Sequence, residues 1–142
     1  MKREFLMDMY QAVRRVVSIE TTHDSFIGGS FRFGYENKDS DLDLFFEVKS
    51  DEDRKKVEQS LISIGFMLCH PSSRYPFKTW RLSNILHVCL LDDQTFKQYE
   101  DKHIKIESLL RKHPILKLIA EKLKEKGMSG SYIFDLFAPF TV

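Results

Sequence analysis

The stretch from residue 28 to residue 46, GGSFRFGYENKDSDLDLFF, decides how the rest of the chain is read. It holds three of the six glycines and four acidic residues, and it ends in an apolar run. Leu42 to Val48 reads as a buried strand. Side chains at i and i+2 of a strand share a face, so Asp41 and Asp43 stand side by side, roughly 6–7 Å apart at Cα. Two like charges at that range repel unless a cation lies between them. Carboxylates suit hard divalent ions such as Mg²⁺, which take one or two protein ligands and complete their shell with water and phosphate oxygens. The turn just upstream supplies the other half of such a site. Gly29 lets the backbone approach a ligand closely, and Ser30 offers a hydroxyl and an amide. If Phe31 to Gly34 begins a helical turn, its free N–H groups favour an anion, and Arg32 adds a cation. A phosphate cradle joined within about ten residues to a pair of carboxylates describes a nucleotide site.

Upstream, residues 3–19 place Phe5, Leu6, Met9, Val13, Val16 and Val17 at helical spacing between charged residues. Downstream, DEDRKKVEQSLISI at 51–64 opens with acids, carries Val57, Leu61 and Ile64 on one face, and stops at Gly65. Phe66–Cys69 is a short strand, and Pro71, Ser72, Ser73 and Pro76 mark a loop. Phe77–Leu82 and Ile85–Leu91 form a hairpin around Ser83-Asn84. From Gln94 the pattern is helical, with one helix over His103–Lys112, and Pro114 starts another that runs to about Lys126. Gly127–Ser131 is a break before a short aromatic segment, Tyr132–Phe140. There is no internal repeat. The order predicts an α+β fold over residues 1–142 as one domain: a small mixed β-sheet with helices on one face and a helical C-terminal third.

Gly29-Ser30, Gly34 and then Ser40-Asp41-Leu42-Asp43-Leu44 resemble the signature of the polymerase-β-type nucleotidyltransferase superfamily, in the form closest to its minimal members. A second resemblance, to the GrpB-like branch, is carried by Leu61–Phe66, by Phe77–Leu91 with Leu86-His87-Val88, and by LLRKHPILKLIAEKLKEK at 109–126. The first resemblance implies that Asp41 and Asp43 hold Mg²⁺ and that Ser30 contacts a triphosphate. It also implies that a nucleoside monophosphate passes to a hydroxyl with release of pyrophosphate. Two departures stand out. Phe31-Arg32-Phe33-Gly34 replaces the usual GrpB-like turn, and the ending SYIFDLF lacks a lysine expected there.

The superfamily site has a third carboxylate on a later strand. In the best register that position is His87, on the face shared with Cys89 and Leu91, while Leu86, Val88 and Leu90 face the other way. An imidazole there can ligate a softer ion such as Mn²⁺ or act as a base, or it is simply a structural histidine. Lys78 and Trp80 share a strand face. Lys78 is a candidate for the triphosphate and Trp80 for a base, against the simpler reading of an edge lysine and a core tryptophan. Arg32, Lys38, Arg74 and Arg81 form either a basic rim or a solvated face. In residues 109–126 the apolar set Leu109, Leu110, Ile115, Leu116, Ile119, Ala120 and Leu123 is read as packing. The lysines at 117, 122, 124 and 126 are read as a solubility surface.

The 142 residues are 42% apolar and 30% charged with net charge +1, so no strong field points to nucleic acid or a membrane. Two cysteines far apart make neither a disulfide framework nor a zinc pattern. The charged N-terminus is neither a signal peptide nor a membrane span, and the expected location is cytoplasmic. The expected ligand is a nucleoside triphosphate with Mg²⁺ or Mn²⁺. The acceptor (protein, RNA or small molecule), the base and the oligomeric state stay open. Two functions compete: an active nucleotidyltransferase, and a catalytically degenerate fold that binds nucleotide or a protein partner in defence, counter-defence or toxin–antitoxin roles. A third, purely structural role predicts no nucleotide binding.

Overall fold

The computed structural model describes residues 2–18, 21–69 and 78–141. Among the described residues, six helices and five strands follow the order α1 (Lys2–Val17), β1 (Ser25–Gly28), α2 (Gly29–Phe33), β2 (Leu42–Glu47), α3 (Asp51–Ser63), β3 (Met67–Leu68), β4 (Thr79–Leu82), β5 (Leu86–Leu91), α4 (Asp93–Lys112), α5 (Pro114–Glu125) and α6 (Gly130–Phe137). A 3₁₀ turn over Ala138–Thr141 follows. The loop read at Pro71–Pro76, with Arg74, lies outside the described residues.

One mixed sheet runs β1-β2-β5-β4-β3. Among the described strands, β2 and β5 pair in parallel, with Asp43 opposite His87, and the other pairs are antiparallel. The alternation in β2 sorts the chemistry. Leu42, Leu44, Phe46 and Val48 face one layer, with Leu86, Val88 and Leu90 of β5, and α1 and α3 bury that face through Leu6, Val13, Val57 and Leu61. Full burial of each such aliphatic side chain stabilises by roughly 1.5–3 kcal/mol. Asp43 and Phe45 face the other way.

On that second face the sheet is half acid and half apolar. Phe26, Phe45, Cys89 and Leu91 need a cover, and Phe96 of α4 provides it. The helical C-terminal third therefore reaches over the far end of the face opposite α1 and α3, extending the expectation of helices on one face. The helix read from His103 begins ten residues earlier, at Asp93, because the Asp92 carboxylate caps it by accepting from the Thr95 amide at 2.8 Å. α6 likewise begins inside the expected break, because the Ser129 hydroxyl accepts from the Tyr132 amide. A second apolar cluster joins Phe33 and Tyr35 to Ile106, Leu110, Ala120, Ile133 and Phe137.

Of the apolar set expected to pack here, Leu109, Leu110, Leu116, Ala120 and Leu123 do so, while Ile115 and Ile119 of α5 are exposed. The roll of α5 sets Lys117 beside Gly34 and lets the Lys124 charge act on Asp43, so these two lysines of the expected basic surface lie on the side of the candidate site. No helix among the described residues is long and apolar enough to cross a membrane.

Candidate functional site

Three side chains converge where β2 and β5 begin. His87 Nδ1 lies 3.1 Å from Asp41 Oδ2 and 3.5 Å from Asp43 Oδ1. One ligand atom from each of the three falls within 4.8 Å of the others, and all three residues are half-buried. The backbone fixes this. Asp43 and His87 are register partners on adjacent parallel strands, and Asp41 precedes β2 by one residue on the same side. Leu42, Leu44 and Phe46 are buried behind them and hold the strand in place.

Burial pushes the Asp43 carboxyl above the ordinary carboxylate range; the His87 hydrogen bond opposes this and the Asp41 charge adds to it. His87 is raised above the ordinary imidazole value, first by its hydrogen bond to Asp43, with burial opposing and both carboxylates adding. Two carboxylates and an imidazole nitrogen are a donor set for a divalent ion, the nitrogen favouring one softer than Mg²⁺.

The glycine turn is built against the acids. Gly29 has φ +68°, and a Cβ there would collide with the Asp43 carboxylate. Gly28 ends β1 opposite Asp43. Ser30 is buried, and its carbonyl closes the short α2 turn by accepting from the Gly34 and Tyr35 amides. Gly130, at the head of α6, faces the Ser30 hydroxyl: a Cβ there would stand 3.9 Å from Ser30 Oγ. A cavity of about 70 Å³ remains between this corner and α6, reaching Gly29, Asp43, His103 and Gly130. The two carboxylates are not splayed, and the aromatic rings do not fill the corner.

Two expected contributors are placed elsewhere. Lys78 is exposed and lines a separate cleft of about 340 Å³ with Arg54 of α3 and Trp80, on the α3 side of the sheet. The alternation of β4 sends it there: Trp80 sits opposite Val88 and belongs to the α1–α3 core, and Lys78 shares its face. Lys78 is thus not brought to the acids. Arg32 is committed otherwise: it donates to the Ile27 carbonyl at 3.2 Å, pairs with Glu107 and lies over the Phe26 ring. Arg81 does reach the site, as the register partner of His87 on β4. Asp92 and Asp93 serve the head of α4, as cap and as partner of Lys97.

The sequence reading missed His103 and Lys124. His103 is 3% exposed, ringed by Phe26, Phe33, Phe45 and Phe134. Its Nδ1 donates to the Tyr99 carbonyl at 2.7 Å. Burial lowers its pKa to about 4, so the ring is neutral. The signal was present, because one polar residue interrupts the apolar stripe Phe96, Tyr99, Ile106, Leu110 at helical spacing. For Lys124 no sequence signal distinguished it from its neighbours.

Solved structures share this architecture. Over 99% of this chain and 89% of the other, it superposes on the conserved protein GrpB from Enterococcus faecalis with TM-score 0.71 and 18% identity. The polymerase core of TRAMP, an RNA surveillance complex, gives TM-score 0.64 at 15% identity over 96% of this chain and 49% of that one. Cid1 in complex with the UTP analogue UMPNPP gives 0.59 at 16% identity, over 85% and 38%. The chain thus spans less than half the length of these polymerases. No curated protein matches the sequence. The nucleotidyltransferase domain family matches residues 9–137, nearly the whole chain, and the protein belongs to that family.

Proposed function

We propose that the protein binds a nucleoside triphosphate with a divalent cation and transfers the nucleoside monophosphate to a hydroxyl acceptor. The observation that carries this reading is the convergence of Asp41, Asp43 and His87 beside a Gly29 turn that has no room for a Cβ. Asp41 and Asp43 hold the cation, Mg²⁺ or Mn²⁺. Gly29 and Ser30 cradle the phosphates, and Lys124 adds positive charge near Asp43. When bound, the cation supplies charge for the attacking oxygen and the departing pyrophosphate. In the transfer, the acceptor oxygen forms a bond to the α-phosphorus, the bond from that phosphorus to the bridging oxygen breaks, and pyrophosphate leaves with the electron pair. The acceptor's proton passes to a base, for which His87 stands where the family has a carboxylate.

A second reading is favoured by one observation: His87 Nδ1 is within reach of both carboxylates at once. An imidazolium held there neutralises the acids that would otherwise draw a cation, which suits a fold that binds nucleotide or a protein partner without turnover. Calorimetry with each nucleoside triphosphate and Mg²⁺ or Mn²⁺, on the parent and on Asp41→Asn/Asp43→Asn, tests the site. Equal affinity in both proteins removes the assignment. Labelled triphosphate incubated with cell lysate separates the two functions: label on a macromolecule supports transfer, and binding without turnover supports the module.

A further inference from the structure

We propose that the cavity beside Asp43 is a ribose subsite in which His103 Nε2 accepts a hydrogen bond from a sugar hydroxyl, so that the protein selects ribonucleotides over deoxyribonucleotides. The inference rests on the nucleotide reading above and names the sugar that the same site prefers.

The tautomer comes from geometry. Nδ1 faces a carbonyl oxygen at 2.7 Å, which only accepts, so Nδ1 carries the hydrogen. In the neutral ring Nε2 then presents a lone pair. Nε2 lies against Gly28, where an added Cβ would come within 2.6 Å of it. His103 is 3% exposed, and it lines the cavity.

The rest of the lining narrows the ligand. Asp43 and Asp135 add carboxylates, which repel a phosphate and welcome a donor. Phe45, Tyr99 and Phe134 add flat apolar walls, which suit the C–H face of a sugar. The cavity adjoins Gly29 and Asp43, where the phosphates and cation are placed, and the ribose is the group bonded next to the phosphates. His103 acts here as a specificity-determining residue, with no part in the bond-making step.

The test takes the ribonucleoside triphosphate that binds the parent most tightly in Mg²⁺, and compares it by calorimetry with its 2′-deoxy and 3′-deoxy analogues. About tenfold weaker binding of at least one analogue is expected, the loss of roughly one well-placed hydrogen bond. His103→Phe keeps a stacking ring and removes the acceptor. It is expected to bring the ribonucleotide down to the affinity of the analogue and leave the analogue unchanged. Equal binding of all three by the parent, or discrimination that survives in His103→Phe, overturns the inference while leaving the nucleotide site standing. Failure of the parent to bind any triphosphate removes both. Should His103→Phe not fold, ¹⁵N spectra of the parent decide. The Nε2 resonance is expected to move with the ribonucleotide and to stay with the deoxy analogue that binds less well; the same response to both overturns the inference.

Discussion

Substituting His103 by Phe should change how stability depends on pH. The folded imidazole has its pKa lowered to about 4 from an ordinary 6.5, chiefly by burial, with the Tyr99 carbonyl opposing and Arg32 and Lys102 adding. In the unfolded chain it takes up a proton near 6.5, and in the folded chain it does so only near 4. Between those values the unfolded state binds more protons, so acid destabilises the fold and stability rises with pH. At about 1.4 kcal/mol per pH unit, the whole window is worth on the order of 3 kcal/mol. Other groups titrate nearby with the opposite sign. Asp43 and Glu47 have raised carboxyls and favour the fold when protonated, and His87 favours it while charged. The difference between parent and variant removes most of that background. Urea unfolding of both proteins from pH 4 to 7.5 supplies the measurement. The stability of the parent relative to His103→Phe should rise by about 3 kcal/mol between pH 4 and 6.5 and level off above. A difference that stays flat, or falls with pH, refutes the buried neutral histidine.

Gly29→Ala places a side chain at φ +68° and against the Asp43 carboxylate. Urea unfolding should show a loss of about 1–3 kcal/mol, and calorimetry a loss of nucleotide affinity. His87→Asp restores a third carboxylate and removes the imidazole that bridges the other two. Its melting temperature should fall in chelator and rise with Mg²⁺ more than the parent's does; an identical Mg²⁺ response would count against a cation site. Ser50→Ala deletes the cap whose hydroxyl accepts from the Asp53 amide at 3.1 Å, at the helix that also presents Asp53 to His23. It should cost about 1 kcal/mol in urea unfolding and leave ligand binding unchanged.

The sheet and its polar face were legible because strand alternation is local. Leu42-Asp43-Leu44 and Leu86-His87-Val88 each state which side chains share a side, and a glycine-serine turn states where the chain bends. The pairing of His87 with Asp43 followed from motif register and agrees with the strand pairing. What local pattern does not encode is how a later helix rolls. α5 has apolar residues on most of its circumference, and the choice of Ala120 over Ile119 for burial is made by the packing of α4 and α6. With that roll came Lys124, and with the position of α4 came His103. Lys78 was misplaced for a related reason. Its face was read correctly relative to Trp80, but which layer that face met depended on the neighbouring strand.

β2 and β5 run side by side in the same direction, and their paired backbones set the spacing of Asp43 and His87. Main-chain pairing, and not the side chains it carries, therefore fixes where a group at either place stands. One codon change at position 87 trades an imidazole for a carboxylate without disturbing the ribbon beneath it.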